Sequence, residues 1–380
     1  MRACPALAAL LCMGLMLACG GGGGDNLRPP APTGNLTLRF GSDSFVGYSQ
    51  AVVSLEKVEA TTDGINWSPL GNIKTTVDLM ALQNGHSTVV LPATAVTPLT
   101  YTQFRITWAT VNYLSAINQP AYVVPSGGVG HVLSMPATTV VNGPVTVTAN
   151  GNVTAQIMLV GQQLVQSRAG GIFSFQAVGQ ASDLAASAII AGHVVDGTTP
   201  LIGVEVLAET VDGSGLATIQ RRAFTDASGN YVLDGLPIGS LYFVVAQPFL
   251  LNSSYAAEAA TPVNATTATT YPTNLAFSTP QAAGSLTLTI NPASLSTQGT
   301  WGELRQTLLT GSAGTMTLIV RSQTMDTGTT QDQTKFLGLA PGFYGITAQR
   351  STSGATPVMK TGTQVLVSAG GIAQTTLSFP

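Results

Sequence analysis

The chain has 380 residues, 8% of them charged and 44% apolar, with a formal net charge of −3. So few basic residues leave no Lys/Arg footprint for nucleic acid, and so much apolar content argues against disorder. No apolar run beyond residue 19 reaches the roughly 20 residues of a membrane-spanning helix, and the three cysteines, Cys4, Cys12 and Cys19, all sit near the start.

Residues 1–18 read as a processing segment. Arg2 is the only charge before Asp25, and an apolar run covers residues 6–18. The run is too short to span a bilayer but suits the core of a secretory signal. Leu15-Met16-Leu17-Ala18 then precedes Cys19. A small residue directly before Cys resembles the lipobox of bacterial lipoproteins. That resemblance implies a diacylated Cys19 as the new N-terminus. Residues 19–34 form a Gly- and Pro-rich tether, a flexible stretch followed by a stiffer one. Gly20, where an Asp would favour the inner membrane, points to the outer membrane of a Gram-negative cell envelope.

The rest alternates apolar and polar residues: Leu36-Thr37-Leu38-Arg39-Phe40, Gln103-Phe104-Arg105-Ile106-Thr107-Trp108, Val145-Thr146-Val147-Thr148, Leu286-Thr287-Leu288-Thr289-Ile290. A period of two places one face of a strand in a core and the other in water. Asn84-Gly85, Asn142-Gly143, Asn150-Gly151, Asp212-Gly213 and Asp234-Gly235 read as turns between strands. Short helices are expected only at 91–96, 182–188 and 301–309. The fold class is therefore all-β, tandem antiparallel β-sandwiches, with units at 35–183, 189–280 and 284–380. A faint echo links them. Leu236-Pro237 leads to Tyr242, Ala340-Pro341 leads to Tyr344, and Leu91-Pro92 leads more loosely to Tyr101.

The middle unit reads Gly192-His193-Val194-Val195-Asp196, then Pro200 to Val206, then Phe224-Thr225-Asp226-Ala227-Ser228-Gly229-Asn230-Tyr231. It resembles the carboxypeptidase regulatory-like domain, a prealbumin-like (immunoglobulin-like) β-sandwich. The resemblance implies an accessory role without an active site. Its Asp226 to Asn230 stretch is a tight turn in which Asp bonds its own backbone and Gly229 takes positive φ. The first unit contains Gly34-Asn35-Leu36-Thr37-Leu38, Val52-Val53-Ser54-Leu55-Glu56-Lys57-Val58-Glu59-Ala60 and Thr76-Val77-Asp78-Leu79-Met80-Ala81-Leu82. It resembles a domain of unknown function, DUF4382, found in bacterial lipoproteins. That family has an Asp-Ala-Pro turn after its first strand, and Ser42-Asp43-Ser44 stands there in this chain. The third unit is expected to be another sandwich.

Chemistry is sparse. His86, His131 and His193 lie in separate segments, without the paired ligands zinc uses or the nucleophile and carboxylate a histidine base needs. Asp63, Asp212, Asp226 and Asp326 sit near glycines in expected turns. The expectation is therefore no enzyme, no metal and no cofactor. Trp108 alternates with Phe104 and Ile106 and belongs to a core. Trp67, after a hairpin, and Trp301, expected in a loop, are the candidate ligand-binding aromatics. The reading is a structural or adhesive lipoprotein, held to the membrane by its lipid and binding a protein or matrix partner. The alternative is a carbohydrate-binding accessory lipoprotein with a glycan partner.

Overall fold

The structure is a computed structural model. It describes residues 31–380 except 115–118, 161–163, 177, 251–252, 296–297 and 353–356. Cys19 and the leader lie outside the described residues. The described chain is built of strands, and helical structure amounts to isolated turns such as Leu79–Leu82, Leu184–Ala186 and Gly311–Ala313. No described helix is long and apolar enough to cross a membrane.

Two of the expected helices are strands. Residues 91–96 belong to Ser87–Val96, and residues 301–309 to Gln298–Leu309. The third, 182–188, holds only a 3-10 turn, Leu184–Ala186, between the strands Gly179–Asp183 and Ser187–Asp196. Asp183 caps it, accepting from the Ala185 N–H at 2.9 Å. Gln298–Leu309 has residues that favour helices, yet it is paired along both edges, with Thr315–Thr324 and Gly342–Thr352. Two ladders of hydrogen bonds outweigh an intrinsic preference worth a few tenths of a kcal/mol per residue.

Buried apolar side chains gather in three clusters. The first draws on residues 36–181 and the second on residues 188–277. The third draws on 286–379 and also takes in Leu207, Ala217, Phe243, Val245 and Ala257. The three share one wiring. Gly34–Ser42 pairs antiparallel with Ser87–Val96 and parallel with Asn152–Leu159. Ser187–Asp196 pairs antiparallel with Asn230–Pro237 and parallel with Thr270–Pro272 and Leu275–Phe277. Gly284–Asn291 pairs antiparallel with Asp332–Leu339 and parallel with Ile372–Ser378. Most neighbours are antiparallel as expected, but in each case the opening strand lies parallel to a late one. Period-two alternation cannot reveal this, because it is blind to strand direction.

The sequence echo has a physical cause. The Tyr101 hydroxyl donates to Thr97 O at 2.8 Å, Tyr242 to Pro237 O at 2.6 Å, and Tyr344 to Ala340 O at 2.7 Å. Each is a tyrosine corner, in which a buried ring fills the core while its hydroxyl ties down the turn that precedes it. Burial raises the pKa of all three phenols, that of Tyr344 to about 12.

The sheets also run into one another. The sheet of the first core continues through Val165–Arg168 into that of the third, where Arg168 pairs with Thr327 and the Ala169 N–H donates to Thr327 O at 2.7 Å. At its other end the first sheet rolls up until a Cβ on Gly71 would stand 2.8 Å from Leu91 Cδ1. Asn142-Gly143 is not a turn. It lies inside the strand Thr138–Thr146, where a Cβ on Gly143 would stand 1.9 Å from Ala181 O. Glycine is needed there for close approach of the Gly179–Asp183 strand.

Candidate functional site: a buried charged seam between the cores

In a chain so poor in charge, the carboxylates and guanidiniums that are buried carry the chemistry. The pairs Asp332 with Arg350 and Glu59 with Arg105 each lie within one core, but most of the others meet where the cores abut. The strand Gly34–Ser42 delivers Ser42-Asp43-Ser44 to this place. The Asp43 N–H donates to Leu159 O at 2.8 Å, and the Ser44 N–H crosses to Arg222 O at 3.2 Å. Asp43 is 3% exposed. Burial is the main cause that pushes its pKa up to about 6. The charges of Arg221 and Arg222 and the Arg222 N–H pull it down, and Asp234 adds a small upward push.

Arg221 and Arg222 occupy Ala217–Phe224, next to a register shift against Glu205–Val211. Consecutive residues of a strand point to opposite faces, and the two guanidiniums have different partners. Arg221 donates to Asp234 O and Gly235 O, both at 2.9 Å, and to Gln180 Oε1 of the first core at 3.4 Å. Those carbonyls are turned outward because Asp234-Gly235, expected as a turn, is a bulge within Asn230–Pro237, with Gly235 at φ +62°. Asp234 Oδ2 in turn accepts from Gln156 Nε2 of the first core at 3.1 Å. Arg222 Nε stands 2.6 Å from Glu205 Oε1, off the line of its N–H, so the contact is an ion pair rather than a hydrogen bond. Arg321 of the third core reaches Glu205 Oε2 at 3.6 Å.

The seam continues into the third core. Glu209 is fully buried and accepts from the Ile319 N–H at 3.0 Å. Burial drives its pKa well above the usual carboxylate range. Arg305 bridges Glu303 Oε2 at 2.7 Å and Ala217 O at 3.1 Å, and Gln247 Nε2 donates to the Tyr344 hydroxyl at 2.7 Å. Between the first and third cores, Gln166 Nε2 donates to Thr327 Oγ1 at 2.6 Å, and Arg168 donates to Gln298 O at 2.6 Å.

The groups expected from sequence to carry function lie elsewhere. Trp67 is half-buried with the Arg105 guanidinium 4.4 Å from its ring centre, so one face is already taken by a cation. Arg105 is itself held by Glu59 at 2.9 Å. Trp301 is not in a loop. It sits inside Gln298–Leu309, 5% exposed, against Gln176, Val178 and Thr324. Trp301 is thus buried, while Trp67 has one face covered by Arg105. Trp108 is a core residue as expected and donates to Thr139 Oγ1 at 2.9 Å.

The histidines stay apart. His131 packs against the Phe173 ring at 4.9 Å, and the His193 backbone is held by Asn274. Among the described residues, no group of three His, Cys, Asp or Glu could hold a metal ion. Asp63, Asp212 and Asp226 are turn residues whose carboxylates accept from backbone N–H groups two or more residues on. Asp326 differs and pairs in a short strand with Gln333.

Sequence reasoning missed the seam, though a signal existed. Glu205-Val206-Leu207-Ala208-Glu209 and Arg221-Arg222 place charges within strands that read as core. In an alternating strand, a charge in the buried phase announces a partner. As built, the seam pairs carboxylates with guanidiniums and backbone groups. Its chemistry is that of a clamp.

Residues 33–163 match the model of a family described as a domain of unknown function, DUF4382. No curated protein matches the chain. Among solved structures, the chain is similar to the Bacillus anthracis TIE protein at 11% identity and a TM-score of 0.21, covering 91% of this chain and 51% of that one. The chain thus spans about half the length of that protein. It is similar to a streptococcal ancillary pilin at 10% identity and a TM-score of 0.21, covering 90% and 98% of the two chains. It is also similar to GBS52, the minor pilin of Streptococcus agalactiae, at 15% identity and a TM-score of 0.19, covering 50% and 94%.

Proposed function

We propose that this chain is a non-catalytic structural or adhesive protein of the bacterial cell envelope. In this reading it is lipid-anchored through Cys19 in the outer membrane and offers its sandwiches to a protein or matrix partner. The observation that carries the reading is the seam. Burying Asp43, Glu205 and Glu209 costs more in desolvation than isolated pairing returns. A chain that accepts this cost at its internal junctions gains a defined arrangement of its parts, which suits a spacer or a scaffold. The adhesive reading is favoured over the carbohydrate-binding alternative because Trp301 is buried and Arg105 covers one face of Trp67.

The test has two arms. Growth with a traceable fatty acid should label the wild type and not Cys19→Ser, and the variant should leave the membrane fraction. Label on the variant, or its retention with the membrane, refutes the anchor. The purified chain should bind immobilised envelope or matrix protein and turn over no substrate. A hydrolytic activity that survives repurification refutes the non-catalytic reading.

A further inference from the structure

We propose that this protein pairs with a second copy of itself through the strand Ile372–Ser378, joining two third-core sheets into one. Among the described residues this strand ends its sheet, pairing on one side only, with Gly284–Asn291. The phase of its hydrogen bonds follows from its two ends. Ser285 N–H donates to Gly371 O, and Phe379 N–H donates to Asn291 O. In a parallel pair alternate residues bond to the partner, so residues 371, 373, 375, 377 and 379 face Gly284–Asn291. The N–H and C=O groups of Ile372, Gln374, Thr376 and Ser378 therefore point to the open side.

Exposed edges of this kind are usually blunted by charge, proline or a bulge. The strand Ser87–Val96, at the far end of the sheet, carries exposed Pro92 and lies beside two register shifts. Ile372–Ser378 has none of these devices. Its register is unbroken, it contains no proline, and no residue from 361 to 380 is charged. Ile372 is 68% exposed.

The edge is self-complementary. In an antiparallel pair centred on Thr375, Gln374 lies opposite Thr376 of the second copy and Ile372 opposite Ser378. All four outward residues then exchange backbone hydrogen bonds, as an isologous twofold contact requires. Nothing opposes this pairing electrostatically, since every facing side chain is uncharged. The contact also continues a construction already present in the chain, because the same sheet is extended edge to edge where Arg168 meets Thr327. A seven-residue edge lies below the area of a standard stable interface, so the dimer is one that dissociates on dilution. The inference does not depend on the adhesive reading.

The test uses the full-length chain in detergent. Sedimentation velocity should show a monomer–dimer equilibrium that rises with concentration. Gln374→Lys with Thr376→Lys sets like charges opposite each other on two exposed positions, and should leave monomer only, with an unchanged unfolding midpoint. Thr375→Cys places the new thiols on the twofold axis, about 4.5 Å apart at Cα and within disulfide reach. It should give an oxidised dimer that the parent chain, with its native cysteines, does not give. Ala373→Cys would hold its thiols about 13 Å apart and should not cross-link. A wild type that stays monomeric at every concentration overturns the proposal. So does a dimer that survives the double lysine variant, or cross-linking at 373 as fast as at 375.

Discussion

Asp43→Asn replaces a buried carboxylate by an amide of the same shape. The amide oxygen can still accept the Arg222 N–H that Asp43 accepts. Arg221 keeps Asp234 O and Gly235 O, and Arg222 keeps Glu205, so neither guanidinium is stranded. What is removed is the net cost of holding a charge out of water, burial set against the pull of Arg221 and Arg222. In the fold the carboxyl titrates at about 6 rather than 3.8, which at about 1.4 kcal/mol per pH unit amounts to about 3 kcal/mol. The sign follows from proton binding. The folded chain keeps the Asp43 proton to higher pH than the unfolded chain, so this group's contribution is fully present below about pH 4. It is lost as pH rises through about 6 and stays lost above. The variant should therefore be more stable than wild type by up to about 3 kcal/mol at about pH 8, with the gap closing toward pH 4. Guanidinium unfolding followed by Trp fluorescence at a series of pH values measures this, since Trp108 and Trp301 are both buried. A variant less stable than wild type at high pH, or a gap that does not vary between about pH 4 and 6, would refute the reasoning.

Glu209→Gln keeps an acceptor for the Ile319 N–H and should leave urea stability unchanged or higher at neutral pH. Glu209→Ala strands that N–H and opens space, and should cost about 2–4 kcal/mol. Tyr344→Phe removes the bond to Ala340 O and the acceptor of Gln247, and should lower stability by about 1–3 kcal/mol. Tyr101→Phe, with one such bond, should lower it by about 1 kcal/mol in the same assay. Gly143→Ala drives a methyl into Ala181 O and should cost about 3 kcal/mol or more. Hydrogen exchange should then rise first in Gly179–Asp183.

The strands were legible because each has one dry face. Leu36, Leu38 and Phe40 are buried while Asn35 and Thr37 are not, and the alternation in sequence is that contrast. The tyrosine corners were half legible: the repeated turn and aromatic were visible, while the hydroxyl bond behind them was not. Two things lay beyond local pattern. Parallel pairing of early and late strands leaves no mark on hydrophobic period, as Gly284–Asn291 and Ile372–Ser378 show. The seam joins residues far apart in sequence, Glu209 to Ile319 across 110 positions, so each charge looked isolated until the fold supplied its partner. Trp301 misled for a related reason. Gly299-Thr300 before it reads as a loop, whereas both are strand residues pressed against the first core, with a Cβ on Gly299 only 3.2 Å from Gln176 Cγ.

The parallel closure of the third core has a mechanical meaning. When the strand by which a module begins lies alongside the strand by which it ends, and both run the same way, a pull on the module's two ends slides one past the other. From Ser285 opposite Ile372 to Asn291 opposite Ser378, the seven rungs of that ladder are loaded at once and in shear. None can be unzipped ahead of the rest. Tension arriving along the chain meets the whole ladder before it reaches the core behind.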